Sequence, residues 1–187
     1  RRCKAEISVQ YPIIEGLNGV LWVFVFLVNG MNMMSVVYCL MTSALLVLSV
    51  IDWRTFEIPF GINVFLGILG IVAVVLDKGE GLNHVIGAVC VSGFLLLLYL
   101  LSQGRAIGGG DIKLMSVSGL LIGGASMICA MCIGIITGGA YVTLMLVRKR
   151  LNKTDQFAFG PFLAFGLATA IFLGDKMAVW YLQFGAV

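Results

Sequence analysis

The chain has 187 residues, of which 60% are hydrophobic and 11% charged, and its mean hydropathy is +1.07. A water-soluble domain carries about 25% charged residues, so this composition excludes a soluble globular protein and predicts an integral membrane protein. The net charge of +3 is too small to point to a nucleic-acid partner, and the twelve Lys and Arg residues read instead as signals of membrane topology.

Residues 1–11 are polar and basic. They open with Arg1-Arg2-Cys3-Lys4, without an initiator Met or a signal-peptide pattern, and the chain is expected to begin inside a longer parent. An apolar segment from about Pro12 to Val28 follows, interrupted by Glu15 and Asn18. It is short for a span, which needs ~20 residues. Asn29–Asn32 predicts a turn, Met33–Ile51 a second span ending at Asp52, and Trp53–Pro59 a charged loop whose Pro suits the start of a helix. A third span covers about Phe60–Leu76, and a fourth about His84–Leu101 after a loop at Asp77–Gly81. The stretch 102–110 is polar and glycine-rich. A fifth segment runs from Asp111 to Gly123-Gly124, a sixth from Ala125 to Val147 and, after a basic loop, a seventh from Phe157 to Leu173. Gly174-Asp175-Lys176 predicts a break before a short apolar tail. The expected fold is all-α: a polytopic membrane helical bundle of about seven transmembrane or membrane-embedded segments.

With the N-terminus in the cytoplasm, the cytoplasmic set of basic residues is Arg1, Arg2, Lys4, Arg54, Arg105, Lys113, Arg148, Lys149, Arg150 and Lys153, while the outer set is Lys78 and Lys176. This bias follows the positive-inside rule. It also puts two carboxylates at helix edges, Asp52 and Asp111, on the same cytoplasmic side. Gly119-x-x-x-Gly123 and Gly134-x-x-x-Gly138 are small-residue pairs that let membrane helices approach closely. The lone His84, beside Asn83, reads as a surface or interface residue. Cys129-x-x-Cys132 lies on a membrane helix and is read as apolar packing rather than as a metal or redox pair.

An ionisable residue at a membrane helix edge is a functional hypothesis by default. Asp111, directly after Gly108-Gly109-Gly110, also makes a good helix N-cap. Asp52, at a helix C-terminus, opposes the helix dipole, which Arg54 offsets. If the two meet, they share a proton, because adjacent carboxylates do not both ionise easily. One then activates a water while the other polarises a scissile carbonyl. The glycines are expected to supply torsions closed to other residues and a close approach of substrate.

Gly108-x-Gly110-Asp111 with Lys113 resembles the G-x-G-D motif of membrane aspartic proteases. Asp52-Trp53-Arg54 with Glu57-Ile58-Pro59 resembles the first-aspartate motif of the type IV prepilin peptidases. Ile7-Ser8-x-x-Tyr11-Pro12-Ile13-Ile14-Glu15 and Phe159-Gly160-Pro161-Phe162-Leu163-Ala164 are similar to two further segments of that family, in family order. The resemblance implies an endopeptidase that removes the leader of prepilin-like (pseudopilin) precursors at the cytoplasmic face of the bacterial cytoplasmic membrane. Asp52 and Asp111 would be catalytic, with Gly108, Gly110, Lys113 and Arg54 supporting the site. The partners are a prepilin substrate helix and the lipid bilayer. No cofactor is expected for proteolysis. S-adenosylmethionine, for N-methylation of the new terminus, and zinc are expected only in a full-length parent. Residues 1–11 then read as the remnant of a cytoplasmic zinc-loop region, with Cys3 left from its ligands and no metal site in this chain, and residues 12–187 as the peptidase domain. The residues themselves leave two other readings open: a small proton- or cation-coupled transporter using the same aspartates, and a structural subunit in which both are caps.

Overall fold

The computed structural model describes residues 9–104, 107–149 and 157–184, with side chains described as far as Leu173. The described residues form seven helices: α1 (Gln10–Asn29), α2 (Met33–Thr55), α3 (Phe60–Leu76), α4 (Gly81–Leu101), α5 (Gly109–Ile122), α6 (Gly124–Val147) and α7 (Gly160–Phe184). Four of these, α1, α2, α4 and α6, are long and apolar enough to cross a membrane. At 17 and 14 residues, α3 and α5 are shorter. The all-helical membrane bundle agrees with the composition.

The breaks between helices have local causes. Gly30 ends α1 at a φ of 75°. Asn32 then caps α2, its Oδ1 accepting the Ser35 N–H at 2.7 Å. A side-chain acceptor there satisfies one of the donors that a helix start leaves unpaired. Pro59, extended at φ −61° and ψ 131°, caps α3, whose first helical residue is Phe60. A single glycine joins α5 to α6: Gly123, at φ 78°, ends one helix and caps the next. Only glycine takes that conformation at no steric cost, and a Cβ there would also lie 2.8 Å from Asn83 Nδ2.

Several boundaries differ from the sequence expectation: α1, at 20 residues, is long enough to span, and α4, α5 and α7 start at Gly81, Gly109 and Gly160 rather than at His84, Asp111 and Phe157. Helix α2 runs on past Asp52 to Thr55, so Asp52 sits within its last turn. Helix α7 runs through Gly174-Asp175-Lys176 to Phe184, because a glycine inside a helix costs only about 1 kcal/mol and no Pro stops it.

Lipid tails are as apolar as leucine, so close packing rather than water exclusion holds such helices together. The glycine pairs supply that packing. A Cβ on Gly119 would come within 2.3 Å of the Gly87 carbonyl oxygen, so α4 and α5 touch backbone to backbone. Gly134 and Gly138 face Leu163, Phe162 and Phe159 at the start of α7, and Gly166 lies against the Ala130 carbonyl. The interior is filled by Met41, Leu45 and Leu48 of α2, Leu66 of α3, Leu114 and Met115 of α5, and Leu163 and Leu167 of α7. Outward faces stay apolar, as at Leu27, Ile71, Leu100 and Ile136, which suits a lipid surround. His84 takes the interface position rather than the surface one. It is buried, and its Nε2 lies 3.3 Å from Asp77 Oδ2, because α4 begins at Gly81 and carries His84 inward.

Candidate active site

Asp52 belongs to the inward stripe of α2. Met41, Leu45, Leu48 and Asp52 are all buried and follow the spacing of one helical face. Asp52 is 4% exposed. A carboxylate in the last turn of a helix faces the negative end of the dipole, and another helix offsets this. Helix α7 begins at Gly160, whose backbone N–H donates to Asp52 Oδ2 at 2.9 Å. The start of a helix is a ready anion site, because its first N–H groups have no partner within the helix. The residue at this point has to be glycine, since a Cβ would lie 2.7 Å from Asp52 Oδ2. Pro161 follows in the first turn, where a missing N–H costs nothing.

Asp111 lies in the first turn of α5 and is 8% exposed. Gly108 is the N-cap, and Asp111 is the third residue of the helix, not the cap that its position after three glycines suggests. Its Oδ2 reaches back to accept the Gly108 N–H at 3.3 Å, half of a capping box. The negative charge suits this end of the dipole. The glycines do not take left-handed torsions: Gly108 is extended, at φ −76° and ψ 143°, and Gly109 and Gly110 are helical. Their role is space. A Cβ on Gly108 would lie 3.1 Å from Asp111 Oδ2, and one on Gly110 would lie 3.1 Å from the Ile58 Cβ.

Four helices bring the two carboxyls to one end of the bundle. Helix α2 packs on α3 and α7, and α5 packs on the same two. Helices α2 and α5 themselves have no Cα pair within 8 Å. They face each other across the ring that these four helices form. Trp53 and Tyr141 meet edge to face at 5.8 Å, and Tyr141 and Phe162 lie 5.2 Å apart. These contacts tie α2, α6 and α7 together beside Asp52.

Of the two basic candidates, Arg54 bonds elsewhere. Arg54 is exposed, and its Nη2 donates to Gln10 Oε1, joining α2 to the start of α1. Lys113 is exposed. Gly160 is the residue that sequence reasoning left without a role. Its segment, Phe159-Gly160-Pro161-Phe162, was visible as a motif, but nothing local connects it to a carboxylate 108 positions earlier. Cys3 lies outside the described residues. Among those described, no three His, Cys, Asp or Glu side chains are grouped so as to hold a metal ion.

Residues 39–143, which run from α2 into α6 and contain both aspartates, match the Type IV leader peptidase family. The chain belongs to that family. It is 30% identical over 192 residues to the prepilin leader peptidase/N-methyltransferase of Burkholderia pseudomallei (strain 1026b), with 99% of this chain and 60% of the relative covered. It is 26% identical over 184 residues to the protein of that name from Bacillus subtilis (strain 168), covering 98% and 74%. For the one from Stutzerimonas stutzeri the figures are 28% over 187 residues, 97% and 65%. The chain therefore spans 60% of the length of the Burkholderia relative. No solved structure matches the chain at a significant level.

Proposed function

We propose that this chain is the proteolytic part of a prepilin leader peptidase, a membrane aspartic endopeptidase that removes the leader of type IV prepilin-like precursors by activating water between Asp52 and Asp111. The observation that carries this reading is the pair itself. Two buried carboxylates on different helices lie at one end of the bundle, each held by a backbone N–H.

Carboxylates so placed share one proton. The ionised one takes a proton from water as the water oxygen attacks the scissile carbonyl carbon. The protonated one hydrogen-bonds the carbonyl oxygen and stabilises the developing negative charge. When the tetrahedral intermediate collapses, the amide nitrogen gains a proton from the pair, the C–N bond breaks, and the pair returns to its singly protonated state. The Gly160 and Gly108 N–H groups keep each carboxyl in place throughout. A precursor's apolar helix would lie beside the bundle in the lipid and offer its cleavage point to the ring end. The positive-inside bias supports putting that end in the cytoplasm of a bacterial cytoplasmic membrane. A transporter site is expected near mid-membrane, whereas these residues occupy the last turn of α2 and the first turn of α5.

Methyl transfer and zinc binding are given no residues here. S-adenosylmethionine would supply the methyl group in a longer protein.

The test is cleavage of a prepilin precursor by membranes carrying the chain and its variants. Asp52→Asn and Asp111→Asn are each expected to lower the rate on the order of 10³-fold or more. Normal processing by either variant would remove the dyad.

A further inference from the structure

The mechanism needs a water held in one orientation, and two carboxyls do not suffice for that. A dyad with one proton offers the water a single ionised acceptor, because its proton serves the scissile carbonyl oxygen. The water has two O–H groups. One donates to the ionised carboxylate, and the other needs a second acceptor at the same place.

Helix α3 carries such an acceptor. Asn63 is 5% exposed, and its Oδ1 is buried with no hydrogen-bond partner. A buried amide oxygen left in this state costs free energy, so a native structure retains one for a reason, often an ordered water. Two contacts bracket its position. Ile58, just before α3, packs where a Cβ on Gly110 would be, and Gly67 packs against Val117. Asn63 lies between these points on α3, and the α5 stretch between them, 110–117, is the one that bears Asp111. Asn63, Gly67 and Gly70 share a face by their spacing, and Gly67 and Gly70 both lie against α5. Asn63 is therefore level with the catalytic turn, in the helix that lies against both α2 and α5.

On the reading that Asp52 and Asp111 form the proteolytic pair, we propose that Asn63 is a further residue of the site, whose Oδ1 accepts the second O–H of the attacking water. The donors and acceptors then close. The protonated carboxyl donates to the scissile carbonyl oxygen, and the water donates to the ionised carboxyl and to Asn63. This leaves the lone pairs of the water oxygen free for the carbonyl carbon. The described bond to each aspartate uses Oδ2, which leaves Oδ1 of the ionised carboxyl for the water and Oδ1 of the protonated one for the carbonyl oxygen. An amide suits the third position, because it stays neutral and takes no proton from the pair.

The experiment measures kcat and KM for a prepilin precursor with the wild-type chain, Asn63→Leu, Asn63→Thr and Asp111→Asn, and checks each variant's Tm in detergent. Leu keeps the branching at Cγ and removes the acceptor. It is expected to lower kcat about 10- to 100-fold, with KM within about twofold and Tm near wild type. Thr restores an acceptor oxygen and is expected to recover part of kcat. Wild-type kcat in Asn63→Leu alongside an inactive Asp111→Asn would remove Asn63 from the site and leave the dyad standing. A raised KM at unchanged kcat would overturn the proposal in favour of an acceptor for the substrate's main chain. A kcat loss that follows loss of Tm, with no recovery in Thr, would make Asn63 a packing residue. Activity in Asp111→Asn would remove the dyad and the water site with it.

Discussion

At the scale of single residues, the site depends on places where a methyl group does not fit. Gly160 meets Asp52 at a distance no side chain tolerates, 2.7 Å from a Cβ to Oδ2. Gly160→Ala is therefore expected to displace the carboxyl and lower kcat on the order of 10- to 100-fold, with a much smaller effect on Tm. Gly61→Ala is the control, since nothing lies within 4 Å of a Cβ there, and it should leave both unchanged. Equal losses in the two variants would argue against a role for the Gly160 contact. The dyad also predicts how rate varies with pH. On the proposed mechanism the pair works with one proton, so kcat/KM should fall on both sides of a window, as the pair loses its proton above it and gains a second below it. A rate rising to a plateau with no fall on either side would point to a single titrating group.

At the scale of elements, the α4–α5 crossing sets where Asp111 sits. The two backbones touch at Gly87 and Gly119, where an added Cβ would meet carbonyl oxygens at 2.6 and 2.3 Å. A backbone cannot turn aside as a side chain can, so Gly119→Ala should force the helices apart and destabilise the bundle by about 1–3 kcal/mol, read as a lower Tm in detergent. An unchanged Tm would mean that α5 is free to slide along α4. The cap at Asn32 is a local effect by comparison. Asn32→Ala removes the acceptor for the Ser35 N–H and should cost about 1 kcal/mol without changing the catalytic end, because it lies at the opposite end of α2. Helix α7 has two functions. Its first turn holds Asp52 through Gly160, and the residues just beyond pack into the glycine face of α6.

At the scale of the whole molecule, the prediction concerns sidedness. Lys149 follows α6 at the site end, and Lys78 lies in the turn after α3 at the other end. In a background lacking the native cysteines, Lys149→Cys should react with an impermeant thiol reagent only from the cytoplasm, and Lys78→Cys only from outside. The reverse pattern would put the carboxyl pair on the wrong side for a leader that stays in the cytoplasm.

Composition alone determined that the chain belongs in a membrane, because 11% charged residues cannot cover a soluble surface. Uninterrupted apolar runs bounded by Gly, Asn and Pro determined the number and order of the helices, since hydrophobicity and turn chemistry act over a few residues. The same local logic singled out Asp52 and Asp111 as charges needing a reason and marked the glycine pairs as contacts. Only the tertiary structure decided what those residues meet. It set Gly160 rather than Arg54 against Asp52, turned Arg54 to Gln10, and made the glycines before Asp111 a matter of space rather than torsion. It also buried His84 and left the buried Asn63 amide oxygen without a partner on the helix that packs against α5. Each of these depends on distances between segments far apart in the chain. Such distances follow from how closely helices pack, which no local pattern of residues specifies.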